Sequence, residues 1–348
     1  MNKALNINPL DLKFSGIIGT GGIGSGKFFK LNGDHTLGRE ESRSGHFLNI
    51  NDYCKQHIIL HYVKTLLGST FSVIPVGKVG DDDVGIKLLA EMRATGFNMG
   101  FVEMIPSSST LFSFCFYYPD GSGGNLTTDN SASSLVDSVY IEKLRANIEI
   151  IGSKGIILAV PEVPLSARQK LLEMGKKNHL FCTASFTSEE LHSSANELSL
   201  ENIDLLAINL DEAAAFAGIS SDSTTTSSVP DLVIQKLQTY NSDMWVSITA
   251  GNQGSWCWDG TKMNFFPPMH SKVKSTAGAG DAFFAGLLCG IALGLDLFES
   301  QQLATLLAGL SVTSPNTIHK GINRIALGKF YENSHTIFSE KIRELLED

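Results

Sequence analysis

Residues 275–294 read STAGAGDAFFAGLLCGIALG, placing a glycine-rich turn, a carboxylate and an apolar helix in immediate succession. With no bulky side chain at Gly278, Ala279 or Gly280, their backbone N–H groups can converge on a phosphate at the positive end of the helix dipole. Asp281 then stands beside that phosphate, where it can take the proton of an attacking hydroxyl. A carboxylate is a weak base, but phosphoryl transfer asks mainly for positioning and charge stabilisation. The plainer reading of the same residues is a tight turn with Asp281 as a helix cap.

A second glycine-rich run, GTGGIGSGKFF at residues 19–29, fits both GxGxxG and GxxxxGK. Neither fingerprint has its required context. Phe28 follows Lys27 where a P-loop needs a hydroxyl for Mg²⁺, and the next residues, SGKFFKLNGDHTLG, have no amphipathic helical period. A dinucleotide-dependent oxidoreductase is therefore disfavoured. The glycines, Gly22 among them, read instead as letting the backbone pass close to a substrate, with Lys27, Phe28 and Phe29 on a following strand. The triplet Asp81-Asp82-Asp83 reads as helix N-terminal charge rather than a metal site, because consecutive helical residues point in different directions. His35 and His46 are isolated and read as surface residues.

Six short apolar runs, FSGIIG, FSVIPVG, GIILAV, HLFCTAS, DLLAINL and MWVSITA, alternate with amphipathic stretches at 48–67, 84–94 and 166–178. That alternation predicts an α/β fold with a doubly wound, mainly parallel sheet flanked by helices. Two segments break the rhythm. Residues 19–44 are rich in glycine and charge, and residues 109–129 join an aromatic run to an Asp120-Gly121 turn and a second β-prone run. Together they predict a small β lid on a core of residues 1–18, 45–108 and 130–348. The run SSDSTTTSSVP at 220–230 reads as a solvated loop.

At this point the chain resembles the ribokinase-like (PfkB-type) carbohydrate kinases. STAGAGDAFFAG is similar to their C-terminal signature, DTxGAGDxFxAG, and GKVGDDDVGIKLLAEMRATGF, SGHFLN, INLDEAAAF and ITAGNQGS fall in the family's order. The resemblance covers residues 14–313. It implies ATP- and Mg²⁺-dependent phosphotransfer to a hydroxyl of a sugar or nucleoside, with Asp281 as base and Gly278, Ala279 and Gly280 as anion hole. It also implies that Asn209 and Glu212 organise Mg²⁺ and its waters, since this ion keeps much of its hydration shell. Thr249, Gly251 and Gly254 would line the nucleotide, and Gly45 and Asn49 would face the substrate. Capping of a strand end and a helix start is the simpler role for Asn209 and Glu212, and a hairpin turn for the Thr249–Gly254 glycines.

Three departures stand out. Ser275 occupies a position where the family usually has Asp, which weakens the case for a monovalent-cation site. No acid follows the first-strand glycine, a place where the family grips sugar hydroxyls; Asp34 or His35 is the substitute in reach. TASFTSEE at 183–190 stands where the family often reads DxNxR. These departures keep open a catalytically slow or inactive metabolite-binding relative.

Composition narrows the remaining classes. The net charge of −9, with Lys and Arg scattered, gives no electrostatic footprint for nucleic acid. No stretch approaches the roughly 20 apolar residues that span a bilayer. Five cysteines without a CxxC pair suit reduced, buried thiols in a cytoplasmic protein. The expected partner is a small molecule, and by resemblance the lid could also join two copies as a homodimer.

Overall fold

The computed structural model describes residues 4–33, 35–120, 123–193, 198–219 and 228–347. Asp34, Gly121 and most of the 220–230 run lie outside them. The chain begins with β1 (Gly16–Thr20), β2 (Gly24–Leu31), β3 (Gly45–Phe47), β4 (Asp52–Tyr53) and α1 (Lys55–Leu67). Next come β5 (Ser72–Gly80), α2 (Asp83–Thr95), β6 (Phe101–Ile105), β7 (Leu111–Tyr117), β8 (Gly123–Thr127), α3 (Ser138–Glu142) and α4 (Arg145–Ile151). They are followed by β9 (Gly155–Ala159), α5 (Leu165–Lys177), β10 (Phe181–Ala184), α6 (Ser188–Ser193), β11 (Leu205–Asn209), α7 (Leu210–Ala217) and α8 (Val229–Leu237). The chain closes with β12 (Trp245–Thr249), β13 (Ser255–Trp258), β14 (Met263–Phe266), α9 (Ala279–Ala292), α10 (Leu297–Ser311), α11 (Arg324–Glu332) and α12 (Glu340–Leu346).

The main sheet has nine strands in the order β14-β13-β12-β11-β10-β9-β1-β5-β6, parallel except for β13 and β14 at one edge. All six apolar runs are strands of it, because strands covered on both faces need apolar side chains at every position. Their period of two divides the core. Ile17, Val73, Ile156 and Leu205 pack on one face with α1, α9 and α10; Ile18, Ile74, Ile157 and Leu206 pack on the other with α5, α7 and α8. The doubly wound α/β fold expected from sequence is the observed one.

Local rules set the helix ends. Asp82 accepts from Gly85 N at 2.7 Å to cap α2 and Asp83 lies in its first turn, so the acid triplet does sit at a helix N-terminus. Helix α9 is apolar all round and buried from Ala282 to Ala292. Helix α10 packs directly against it because Gly286 and Gly290 carry no side chain there: a Cβ on Gly290 would fall 2.5 Å from Ser300 Oγ.

The amphipathic stretch 48–67 is shorter as a helix than its period predicts. Asp52 and Tyr53 pair with Gly26 and Ser25 of β2 before α1 starts at Lys55. Tyr53 fits the helical period but is buried from an extended backbone, so periodicity alone could not place the boundary.

A second sheet, β3-β2-β7-β8 with β4 also on β2, gathers the two irregular segments and residues 45–47 and 52–53. The run that matched the phosphate fingerprints ends β1 and forms β2, with no helix after it. Phe28 faces inward from β2, while Lys27 is exposed on the outer side.

Candidate active site

Parallel α/β sheets open their ligand crevice at the carboxyl ends of the strands. Two connected clefts lie there, and Lys55 and Asp281 line both.

The first is a narrow slot of about 50 Å³ formed by Lys55, Ser185, Asn209, Glu212, Thr249 and Asp281, with Gly280 at its rim. Asn209 ends β11 and caps α7: its side chain accepts from Glu212 N at 2.8 Å, and Glu212 Oε2 accepts from Asn209 N at 2.8 Å. The reciprocal cap is a structural role, yet the Glu212 carboxyl still faces the slot, where burial raises its proton affinity against the pull of Lys55.

The second cleft, about 460 Å³, lies between the main and second sheets. Its size suits a small polar metabolite. Asp52, Glu162 and Asp281 supply acid; Phe28, Tyr53 and Tyr117 supply aromatic walls. Burial pushes Asp52 up to about 6 and Glu162 up to about 7. Glu162 follows β9 in the left-handed region, φ 76°, a strained conformation for a residue with a Cβ, and its Oε2 is buried without a hydrogen-bond partner among the described residues. One oxygen of a carboxyl that lines the cleft is thus left without a partner among the described residues.

The glycine run explains how these acids fit. A Cβ on Gly22 would fall 2.5 Å from Glu162 Cβ, and one on Gly26 would overlap the Asp52 carboxylate. The glycines make room for carboxylates rather than for a nucleotide.

Asp281, the third residue of α9, lies at the junction of the clefts, with Lys55 Nζ 3.7 Å from its Oδ1. Burial raises Asp281 above the ordinary carboxylate range, and Lys55 opposes the shift. Burial works against the Lys55 charge, but Asp281, Glu212 and Glu162 outweigh it and hold the lysine protonated. At the helix start Gly278 adopts φ 78°, where a Cβ would fall 2.6 Å from the Thr317 carbonyl oxygen. Of the three proposed anion-hole residues, Ala279 has its N–H engaged by the Thr276 carbonyl at 3.1 Å. The first-turn N–H groups of Gly280 and Asp281 have no acceptor among the described backbone bonds, as expected for a helix start.

Other expectations separate from the clefts. Gly251, φ 55°, and Gly254, φ 100°, form the turn between β12 and β13 and line neither cleft; a Cβ on Gly254 would fall 2.5 Å from Phe266 O. Gly45 sits on β3 at the rim of the second sheet, hemmed in by the Phe29 ring, and Asn49 is exposed; neither lines a cleft, because pairing of residues 45–47 with β2 holds this segment at the sheet edge. His35 is exposed and paired with Glu41 at 3.0 Å, so it does not replace the missing acid. His46 is exposed on β3. Of the five thiols, four are buried as expected, while Cys115 is only half-buried; Cys54 and Cys115 also line the second cleft. Ser275 Oγ accepts from Ala277 N at 3.2 Å and so supports the turn before α9. Sequence reasoning missed Lys55, Asp52 and Glu162. A lysine opening a helix with no acid in its first turn was a legible oddity; the acids come from distant points of the chain and carried no local signal.

The family model described as pfkB family carbohydrate kinase matches residues 61–323. The chain belongs to that family. Among curated members, the ribokinase of Schizosaccharomyces pombe is 24% identical over 241 residues, covering 68% of this chain and 72% of that protein. Among solved folds, the ribokinase of Giardia lamblia superposes with a TM-score of 0.78 at 18% identity, covering 91% of this chain and 98% of that one. An Arabidopsis thaliana ribokinase complexed with ribose and ATP superposes with a TM-score of 0.69 at 18% identity, covering 91% and 98%. Membership of the pfkB family makes the protein a carbohydrate kinase, and the structural likenesses establish the ribokinase-like fold. Among the described residues, no helix is long and apolar enough to cross a membrane.

Proposed function

We propose that this pfkB-family protein transfers the γ-phosphoryl group of ATP to a hydroxyl of a sugar or nucleoside held in the 460 Å³ cleft, with Asp281 as the base. The observation that carries the reading is the position of Asp281, at the start of α9 and shared by the acid-lined cleft and the narrow slot. The Arabidopsis fold relative was solved with ribose and ATP, which supports this choice of partners.

The acceptor lies between the two sheets, its hydroxyls donating to Glu162 and Asp52 and its ring against Phe28 and Tyr117. Asp281 takes the proton from the reacting hydroxyl as its oxygen approaches phosphorus. The open N–H groups of Gly280 and Asp281, with Gly278 shaping the turn, stabilise the developing charge. Thr249 and the β12–β13 hairpin border the nucleotide. For Mg²⁺, the described residues contain no cluster of three His, Cys, Asp or Glu side chains that could cage an ion. A small slot walled by the oxygens of Asn209 and Glu212 does fit an ion held mostly by water and phosphates. When bound, Mg²⁺ would neutralise phosphate charge there. The second sheet acts as the lid, and its outer face would join two copies.

The test is a panel of sugars and nucleosides with ATP and Mg²⁺, comparing the wild type with Asp281→Asn. Wild-type turnover on a member of the panel, lost in the variant, supports the reading. Ligand-induced thermal shifts with no phosphorylation by the wild type would replace it with a metabolite-binding role.

A further inference from the structure

Lys55 is set against its local surroundings. As the first residue of α1 it places a cation at the positive end of a helix whose first turn contains no acid, an unfavourable arrangement for the helix itself. The side chain does not escape to solvent. It reaches across to α9, 3.7 Å from Asp281, and lines both the slot and the acceptor cleft. Glu212 lines the slot and Glu162 the acceptor cleft, and both, with Asp281, favour the charged form of the lysine.

We propose that Lys55 is a further catalytic residue, whose ammonium binds the equatorial oxygens of the phosphoryl group while it passes from nucleotide to acceptor. The inference rests on the kinase reading above. In the transfer the acceptor oxygen forms a bond to Pγ, and the bond from Pγ to the bridging oxygen breaks. The electron pair of the broken bond stays on the β-phosphate of ADP, and the acceptor proton goes to Asp281. Before nucleotide arrives, Lys55 pairs with Asp281; during transfer the same ammonium is within reach of the group that travels between the two clefts. A fixed cation at that point acts without reorganisation, the condition under which electrostatic stabilisation is most effective.

A purely structural role would be different: Lys55 would only keep Asp281 ionised. Kinetics of Lys55→Met and Lys55→Arg between pH 6 and 9 separate the two. Lys55→Met should lose about 10²–10³-fold in kcat, the range for removing one transition-state donor, with the acceptor KM little changed and the deficit persisting at pH 9. Lys55→Arg should restore at least part of the rate. Unfolding temperature and ADP binding would be measured on both variants to exclude misfolding, and the arginine variant keeps the charge if the methionine variant does not fold. A deficit that closes completely by pH 9 would show that Lys55 merely tunes Asp281 and would overturn the proposal, as would near-normal turnover in Lys55→Met. Absence of turnover by the wild type on every acceptor would instead remove the kinase reading, and this inference with it.

Discussion

Gly26 of β2 lies so close to Asp52 of β4 that a Cβ at position 26 would occupy the space of the Asp52 carboxylate. The residue that completes the GxxxxGK match leaves room for an acid that lines the larger cleft. Gly26→Ala should therefore displace Asp52 and raise the acceptor KM by about tenfold, the equivalent of about 1.4 kcal/mol. ATP affinity should stay close to the wild-type value. Steady-state kinetics varying each substrate in turn would check this; an unchanged acceptor KM would remove Asp52 from the binding cleft.

Asp281→Asn should reduce kcat by about 10²–10⁴-fold, the usual contribution of a positioned base, while calorimetric ADP binding is retained. In the wild type, burial raises the Asp281 proton affinity, so kcat/KM should fall as pH drops through a limb above the ordinary carboxylate range. In Lys55→Met that limb should move to higher pH, because the lysine is what opposes the shift.

Glu162 gives a stability signature of defined sign. Its carboxyl is raised from the ordinary 4.5 to about 7 by burial, so the folded state holds the proton more tightly than the unfolded chain does. This group's contribution to stability is then lost as pH rises from about 4.5 through 7. Glu162→Gln should melt about 2–4 °C above the wild type at pH 8, and the gap should vanish near pH 4.5. Thermal unfolding without ligand at the two pH values measures it; a variant less stable at pH 8 would contradict the assignment.

Beneath the slot, the fully buried Arg168 of α5 pairs with Glu190 of α6 and donates to the Ser185 carbonyl at 3.5 Å. Removing one partner of a buried ion pair strands the other. Glu190→Leu leaves the buried Arg168 guanidinium without its counter-charge and should cost about 3–5 kcal/mol of stability, whereas replacing both with apolar residues should cost less. Chemical denaturation of the single and double variants tests the pair.

The outer face of the second sheet carries Phe29, Phe47 and Phe114, with ring centroids 5.1–6.3 Å apart, and Leu126 beside them at 64% exposure. Contiguous exposed apolar side chains of this kind mark an association surface. Sedimentation should report a dimer that Phe47→Asp with Leu126→Asp converts to monomer. A wild type that sediments as a monomer at micromolar concentration would refute the lid-mediated dimer.

The fold was legible because the central strands are buried on both faces, so FSGIIG, GIILAV and DLLAINL are almost uninterrupted apolar runs. The turn proposed to hold the phosphates was legible as a candidate for a related reason: glycines, acid and helix in GAGD are contiguous, and their chemistry would be local. The acceptor end was not. Asp52, Glu162 and Asp281 are more than 100 residues apart in succession, and only strand order brings them together. Gly45 and Asn49 matched a spacing, but pairing of residues 45–47 with β2 carries them to the rim, which no pattern of spacing could reveal. Asn209 and Glu212 were read two ways, and the reciprocal cap shows that the structural role is present in either case.

Between Asp52 and Lys55 the chain passes from the second sheet into the main layer within four residues. One end of this short span is paired into the second sheet, and at the other Lys55 Nζ lies 3.7 Å from Asp281. On the proposed mechanism, a tilt of that sheet on acceptor binding would reach the ammonium through only four residues of chain, so occupancy of the cleft and readiness for transfer would share one mechanical link.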